Sequence, residues 1–209
     1  DNKLKRSIRE EQKLMRQERP DYLLFVLEDL RTGKLIGTSA IFGELGKEDS
    51  FYSYKREKVA QRNKSLGAHY THDILHLSHH FEGYAEVASL YLLPEYRKHF
   101  NGKLLSKVRY LFMGLHQHVF PKQVMADLRG YVNTHGDSPF WNAVGRHFFP
   151  MTYAEADLYG AVNGNQFIAD LMPKLPLYVN MLPEEAQSAI GKPHNDGQPA
   201  MAMLEKEGF

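Results

Sequence analysis

The chain has 209 residues, 43% of them apolar and 12% aromatic, a composition typical of globular proteins that excludes a largely disordered chain. Its 26 lysines and arginines against 25 aspartates and glutamates give a net charge of +1, which argues against a nucleic-acid-binding surface. The lack of cysteine excludes disulfides, zinc–thiolate sites and cysteine nucleophiles and agrees with a reducing cytoplasm, and no apolar run reaches the roughly 18 residues of a membrane span.

In chain order, the pattern predicts a charged N-terminal helix followed by a series of strands. Residues 61–70 are polar and are expected to form a loop between two of these strands. The strands are expected at Tyr22–Asp29, Leu35–Phe42, residues 51–60, Ile74–Ser78 and Glu86–Leu93.

The second half of the chain mixes helices and strands. An amphipathic helix is predicted over Gly102–His118, with Leu104, Leu105, Val108, Leu111, Phe112 and Leu115 on one stripe. Further predictions are a strand at Gln123–Arg129, a helix capped by Ser138 and ended by Gly145, a strand at His147–Tyr153, a loop at Asp157–Gln166, and helices at Pro183–Ile190 and Pro199–Glu207. This order predicts an α/β fold with a mixed, mostly antiparallel sheet flanked by helices.

The segment Ala85–Tyr110, AEVASLYLLPEYRKHFNGKLLSKVRY, predicts a buried strand, a basic loop with one glycine and an amphipathic helix. Unpaired amides at a helix N-terminus and the helix dipole attract anions. The segment therefore suits a phosphorylated cofactor, although a loop with a single glycine is equally typical of an ordinary strand-to-helix turn.

The same segment also resembles the coenzyme A pyrophosphate loop of the GCN5-related N-acyltransferase fold. Other segments extend the resemblance, in order and over nearly the whole chain, to the arginine N-succinyltransferase family. They are FVLED followed by TG, LYLLPEYRK, NGKLLSKVRYLFM, ADLRG, HGDSPFWNAVGRHFF, FIADLMPK, EEAQSAIGKPH and LEKEGF.

The resemblance implies an acyltransferase that moves succinyl from succinyl-CoA to the α-amino group of L-arginine, the first step of an ammonia-releasing route of arginine catabolism. Succinyl-CoA is then a co-substrate, no cofactor is bound permanently, and the enzyme is cytoplasmic. Some relatives accept ornithine or pair as two different subunits, so homo- and hetero-oligomers both stay open. Two alternatives remain: a non-catalytic acyl-CoA-binding or regulatory subunit, and an acyltransferase that acts on ornithine or another amine.

Family members are longer at both ends, and this chain begins without methionine. We therefore expect an acyl-CoA-binding core at residues 1–156 that lacks an N-terminal part. A C-terminal extension at 157–209, also truncated, is expected to carry His194.

The resemblance assigns the acyl-CoA contacts to the strand end and the basic loop. One departure is Phe100, which stands where the family keeps the first glycine of its R-K-x-G-N-G loop. Because a side chain tolerates positive φ poorly, we expect a loop of altered shape that still binds. The predicted contacts are Leu90, Leu92, Arg97, Asn101, Gly102 and Lys103.

Two residues are predicted to be catalytic. The resemblance makes His194, in the motif Gly-Lys-Pro-His, the proton donor, although by sequence alone it could be a surface histidine. Glu86 could accept the proton of the attacking amine. Either Glu86 or Asp127 could instead pair with the guanidinium of arginine, and both could also be structural ion pairs at a sheet edge.

Three further residues are candidates for binding substrate. Arg129 could hold the distal carboxylate of succinyl, as could Arg146, or each could form a structural ion pair. His135 could line the amine pocket. No metal is expected, because the predicted strand Ile74–Ser78 interrupts the helical spacing of a group of histidines and no carboxylate or cysteine completes a ligand set. These histidines are His69, His72, His76, His79 and His80.

Overall fold

The computed structural model describes residues 2–47 and 50–209, which form two compact units. The first unit takes its described residues from Asp1–Glu48, Glu82–Asp127 and Pro199–Phe209, and the second from Asp49–Phe81 and Leu128–Gln198. The predicted division into an acyl-CoA-binding core at 1–156 and a C-terminal extension at 157–209 refers to function and not to compact units. It stays a prediction.

The described chain contains seven strands and seven α-helices. The strands are β1 (Tyr22–Asp29), β2 (Lys34–Phe42), β3 (Ser53–Asn63), β4 (Ala68–Ser78), β5 (Ala85–Leu92), β6 (Val124–Met125) and β7 (Leu177–Tyr178). The helices are α1 (Asn2–Met15), α2 (Asn101–Leu115), α3 (Pro139–Ala143), α4 (Tyr153–Asn163), α5 (Gln166–Leu171), α6 (Glu184–Ala189) and α7 (Gln198–Glu207). The predicted fold class, mixed α/β with mostly antiparallel sheets flanked by helices, is confirmed.

A four-stranded sheet in the order β1-β2-β5-β6 forms the centre of the first unit. β2 pairs antiparallel with both β1 and β5, whereas β6 runs parallel to β5. The sheet forms here because β1, β2 and β5 carry apolar residues that are fully buried, such as Ile41 and Ala85. Helix α2 returns along the sheet directly after β5, as a βα unit requires.

Helix α2 meets the sheet through Leu105, Ser106, Arg109 and Met113, so the predicted stripe of leucines is partly wrong. Three of its members are exposed instead: Leu104 at 60%, Leu111 at 65% and Leu115 at 69%. Hydrophobicity alone cannot decide which side of a helix faces a sheet when both sides carry large apolar residues.

The second unit combines a three-stranded sheet, in the order β3-β4-β7, with α3, α4, α5 and α6. Its core is a cluster of buried apolar residues around Trp141, whose ring stacks on Phe149 at 5.2 Å between ring centroids. Ser138 caps α3 by accepting a hydrogen bond from the Trp141 amide, as predicted. This cap fixes the turn that carries the tryptophan into the core.

Residues 61–70 do not form the predicted loop. β3 and β4 pair without a break from Ser53 opposite Ser78 to Asn63 opposite Ala68, and only a short turn joins them. Most of the β3 side chains lie at the surface, so their polarity is compatible with a strand and does not mark its end.

Three other predictions of local structure are wrong. The strand expected at Gln123–Arg129 is reduced to β6, and the strand expected at His147–Tyr153 is absent from the described residues. In place of the loop expected at Asp157–Gln166, helix α4 begins behind Thr152. Thr152 and Glu155 form a reciprocal capping box that starts this helix, a Thr-x-x-Glu signal present in the sequence.

Candidate functional site

Strand β5 is interrupted by a bulge at Ser89. The register with β2 pairs Thr38 with Tyr91 but Ala40 with Ala88, so β5 has an additional residue at this point. Ser89 accommodates the additional residue by adopting a positive φ of 52°. The Thr38 hydroxyl donates a hydrogen bond to the Ser89 carbonyl oxygen at 3.1 Å. Bulges of this kind redirect backbone groups beside functional sites.

The bulge changes the direction of the next amide. In a trans peptide the N–H points opposite to the preceding C=O, so the Leu90 N–H is directed away from β2 when Thr38 holds the Ser89 carbonyl. On that far side, β6 pairs with β5 only at Ala85 and Glu86. Within the described chain, the far edge of β5 therefore has no paired strand beside Leu90.

The basic loop after β5 is held by its own polar side chains. The Arg97 Nε donates to the Leu92 carbonyl at 3.0 Å, and the Asn101 side-chain amide donates to the Tyr96 carbonyl at 3.0 Å. Both residues were predicted to contact the ligand, and both hold the loop in shape. The Arg97 side chain is exposed, which leaves the rest of its guanidinium facing solvent.

The first turn of α2 lies directly behind this loop. The Asn101 amide donates to Lys98 and the Leu104 amide donates to Phe100, both through backbone carbonyls. Within the described chain this leaves the amides of Gly102 and Lys103 for a bound anion. Gly102 packs against Leu92, so the helix start and the strand end are in direct contact.

Phe100 occupies the position before α2 with a left-handed backbone, φ 65° and ψ 7°. Its ring is 75% exposed, and the Lys103 Nζ lies 4.9 Å from the ring centroid. The loop therefore adopts the positive φ that a glycine would take easily, and Phe100 adopts it at a conformational cost.

We expect Phe100→Gly and Phe100→Ala to differ in stability by about 1 kcal/mol, with glycine the more stable. Alanine keeps the cost of positive φ and loses the contact with Lys103, whereas glycine removes that cost and gains some entropy in the unfolded chain. Urea unfolding of both variants measures this difference. Equal free energies of unfolding would contradict a left-handed residue at this position.

Glu86 lies on β5, opposite Phe42 of β2 and Met125 of β6. Burial among these strands and, to a smaller extent, the nearby negative charge of Asp127 together raise the pKa of its carboxyl group to about 7. Asp127 itself follows β6 and is exposed. The structure therefore brings these two predicted carboxylates together in the first unit, and it gives one of them a pKa suited to proton transfer near neutral pH.

His194 belongs to the second unit, where residues 192–194 run antiparallel to 129–131. The His194 amide donates to the Arg129 carbonyl at 2.7 Å, and the Tyr131 amide donates to Lys192 at 3.0 Å. The His194 Nδ1 accepts a hydrogen bond from the Asp196 amide at 3.1 Å. Because Nδ1 acts as acceptor, the neutral imidazole carries its proton on Nε2, which is the atom left to donate.

The side chain of Arg129 is engaged in an exposed ion pair, with its Nη2 at 2.8 Å from the Asp157 carboxylate. Its guanidinium also lies 5.9 Å from the centroid of the Tyr153 ring. His135 is exposed in a turn held by the Asn133 side chain. The structure thus places Arg129 beside His194 through the backbone, whereas His135 belongs to a separate turn.

The five histidines fall on or after β4, which begins at Ala68 and is therefore longer than the predicted strand Ile74–Ser78. On a strand, side chains alternate between faces, so His72 and His76 share one face and His69 points to the other. Among the described residues, no group of three or more His, Cys, Asp or Glu side chains could hold a metal ion.

Two features of the site escaped the sequence reasoning. The bulge at Ser89 has no marker such as glycine. Gly37 of β2 faces α2 so closely that a Cβ atom there would come within 2.8 Å of the Tyr91 carbonyl oxygen and 2.9 Å of Leu105. That glycine, inside a predicted strand, was the available signal of a close approach.

In the described part of the chain, none of the helices combines the length and apolar character needed to cross a membrane. A family model described as "Arginine N-succinyltransferase beta subunit" matches residues 1–209. The arginine N-succinyltransferase of Yersinia pestis (strain Pestoides F) is 44% identical over 186 residues, which is 89% of this chain and 53% of that protein. The arginine N-succinyltransferase subunit beta of Pseudomonas aeruginosa is 43% identical over 189 residues, 90% of this chain and 55% of that protein.

Among solved structures, the chain is similar to "arginine/ornithine succinyltransferase subunit AI from Pseudomonas aeruginosa". The TM-score is 0.79 at 35% identity, covering 90% of this chain and 54% of that one. The chain thus spans about half the length of the curated relatives it matches.

Proposed function

The chain belongs to the arginine N-succinyltransferase family, and we propose from this that the protein containing it transfers succinyl from succinyl-CoA to the α-amino group of L-arginine. In the reaction, the amine nitrogen attacks the thioester carbonyl and forms a tetrahedral oxyanion. The C–S bond then breaks, the new amide keeps the succinyl group, and the thiolate of coenzyme A leaves. One proton must be taken from the amine and one given to the sulfur.

Succinyl-CoA is proposed to bind along the open edge of β5 and along the loop that follows this strand. The Leu90 N–H is directed to that edge and would donate to the thioester oxygen as it gains charge. Leu92 extends the same edge towards the loop, where the pantetheine arm would pair with the strand. The free amides of Gly102 and Lys103, with the Lys103 ammonium, would then hold the pyrophosphate.

The observation that best supports the proposal is the carboxyl group of Glu86, whose pKa of about 7 makes it a suitable general base. Glu86 lies on the same strand as Leu90, four residues before it. A base of this kind would take the proton from the attacking amine as the oxyanion forms. Asp127, which is exposed nearby, would pair with the guanidinium of the substrate.

His194 is proposed to protonate the leaving thiolate as an imidazolium, which gives up its Nε2 proton and becomes neutral; in the charged state its Nδ1–H faces the Asp196 carboxylate, 3.6 Å away. Arg129 remains the candidate for the distal carboxylate of succinyl, which would have to compete with Asp157 for the guanidinium. His135 is a candidate for the amine pocket on the resemblance alone. Succinyl-CoA is a co-substrate in this scheme, and no permanently bound cofactor is needed.

The relatives named as subunits favour an oligomer, and a cytoplasmic enzyme is consistent with the proposed substrates. One alternative is a non-catalytic acyl-CoA-binding subunit, which is favoured by Phe100 in place of the family's glycine. The other is an acyltransferase that acts on ornithine, favoured because the similar solved protein is named an arginine/ornithine succinyltransferase.

The test is to mix the full-length protein with succinyl-CoA and arginine and to follow free thiol. We expect one thiol for each succinylarginine formed. Ornithine in place of arginine, and acetyl-CoA in place of succinyl-CoA, serve as the alternative substrates. If only another pair of substrates releases thiol, the substrate assignment is wrong. Calorimetric binding of coenzyme A without any turnover would favour the non-catalytic subunit.

A further inference from the structure

Arg109 is a charged residue buried in the first unit without an acidic partner. Its side chain, in the middle of α2, is 2% exposed and is the largest fully buried side chain of the described residues. Among the described residues its hydrogen-bond partners are Ser106 and Ala88, and no carboxylate contributes to the electrostatics of its guanidinium. Burial lowers the pKa of its guanidinium below the usual value. Stability alone does not account for such a residue, because apolar side chains of similar size usually replace buried charges at no loss.

The hydrogen bonds of Arg109 join α2 to β5. Nε donates to the Ser106 carbonyl at 3.1 Å and Nη2 donates to the Ser106 hydroxyl at 2.9 Å, so one turn of the helix fixes the guanidinium plane. The remaining bond crosses to the sheet, where Nη1 donates to the Ala88 carbonyl at 3.3 Å. A planar guanidinium can hold two such partners in fixed directions, which an ammonium cannot.

Ala88 is the residue directly before the bulge. Two successive carbonyls of β5 are therefore held from two elements: Ala88 by Arg109 of α2, and Ser89 by Thr38 of β2. These two bonds fix the peptide planes on both sides of Ser89, which has the uncommon φ of 52°. The second plane carries the Leu90 N–H, so the direction of that amide depends on both bonds.

We propose that Arg109 is a positioning residue for succinyl transfer, which holds the Ser89 bulge so that the Leu90 N–H stays directed at the thioester carbonyl. This rests on the proposed function. A hydrogen-bond donor that already points to the position of the oxyanion stabilises it without any rearrangement of the protein. Small displacements of such a donor slow the chemical step strongly. Arg109 contacts no substrate in this scheme, so it should act on kcat and leave binding of coenzyme A to the loop unchanged.

The test compares Arg109→Met with Arg109→Lys and Thr38→Val in the full-length protein. For Arg109→Met we expect kcat to fall about 10- to 100-fold. The affinity for coenzyme A, which lacks the thioester carbonyl, should stay within about threefold and the unfolding midpoint should not fall. Arg109→Lys should recover part of kcat. Thr38→Val should lower kcat in the same way, because it removes the hydrogen bond to the Ser89 carbonyl. Lys107→Met, which removes an exposed lysine of the same helix, is the matched control and should match the wild type.

A second readout separates this proposal from the proposed function. The backbone amide resonance of Leu90 in NMR spectra should shift in Arg109→Met, because the peptide plane after Ser89 changes direction, whereas the amide resonances of β1 should not shift. If the wild type transfers no succinyl, the proposed function fails, and the Leu90 resonance still judges the positioning role. Unchanged kcat and an unchanged Leu90 resonance in Arg109→Met would overturn the proposal. A joint fall of kcat, coenzyme A affinity and unfolding midpoint would overturn it too, because it indicates general loss of structure.

Discussion

Replacing Glu86 by glutamine is expected to lower kcat for succinyl transfer by about 10²- to 10⁴-fold, the usual contribution of a general base. Glutamine keeps the size of the side chain and removes its proton acceptor. The affinity for coenzyme A, which depends on the loop after β5, should stay within a few-fold. Steady-state kinetics with succinyl-CoA and arginine, together with calorimetry of coenzyme A, measure both quantities.

The pH dependence gives a more specific test of Glu86. In the wild type, kcat/KM should rise with pH through about 7, because the carboxylate form is the active base and burial raises its pKa to that value. Glu86→Gln should lose this step and keep only the titration of the substrate amine at higher pH. Asp127→Asn should move the step to lower pH, because it removes the negative charge that helps to raise the pKa of Glu86.

The same pKa predicts how stability changes with pH. A carboxyl group whose pKa is raised on folding favours the folded state when protonated, so its contribution is fully present below pH 4.5 and is lost as the pH rises through about 7. The free energy of unfolding that is lost in this way is on the order of 3 kcal/mol. Glu86→Gln should therefore be more stable than the wild type above pH 7, and the difference should shrink towards pH 4.

The matched control for Glu86 is Glu28→Gln, which changes an exposed carboxylate on β1 and should leave kcat and the pH profile unchanged. Thermal unfolding at several pH values completes the comparison. If Glu86→Gln keeps full activity with an unaltered pH profile, Glu86 is not the base.

The second large effect is expected for His194→Asn, with kcat reduced about 10²-fold. Asparagine can still accept the Asp196 amide through its side-chain oxygen, as the imidazole Nδ1 does at 3.1 Å, but it has no proton to give at neutral pH. The short 3-10 helix at Asn195–Gly197 should therefore remain capped. His194→Ala loses both functions and should be equally slow and also less stable.

Kinetics and thermal unfolding of the two His194 variants separate catalysis from capping. The control is His147→Asn, which changes an exposed histidine of the same unit and should be neutral. Turnover of His194→Asn at the wild-type rate would remove the proton-donor role, whatever its stability.

The sequence predicted those parts of the fold that depend on local patterns. The strands β1, β2 and β5 are apolar runs between turns, and the helix behind Ser138 has a standard cap. The capping box of Thr152 and Glu155 is equally local, and this Thr-x-x-Glu signal indicates the start of α4 although the apolar run before it is typical of a strand.

Other parts of the site depend on contacts between distant segments. The pKa of Glu86 results from burial between β2 and β6 and from Asp127, about 40 residues away in sequence. The left-handed backbone at Ser89 lies between two hydrogen bonds from distant segments, one from Thr38 to its own carbonyl and one from Arg109 to the carbonyl of Ala88. The burial of Arg109 on an amphipathic helix was not predicted, because charged residues are rarely buried without a partner.

The exposed leucines of α2 affect how the chain must be handled in the laboratory. Leu104, Leu111 and Leu115 are spaced by seven and four residues and so form an exposed apolar strip along one side of the helix, and the Phe100 ring just before the helix is exposed as well. A strip of this size promotes self-association that grows with protein concentration and with salts such as sulfate. The mass measured for these 209 residues alone would therefore include self-association through this strip. The oligomeric state has to be determined on the full-length protein.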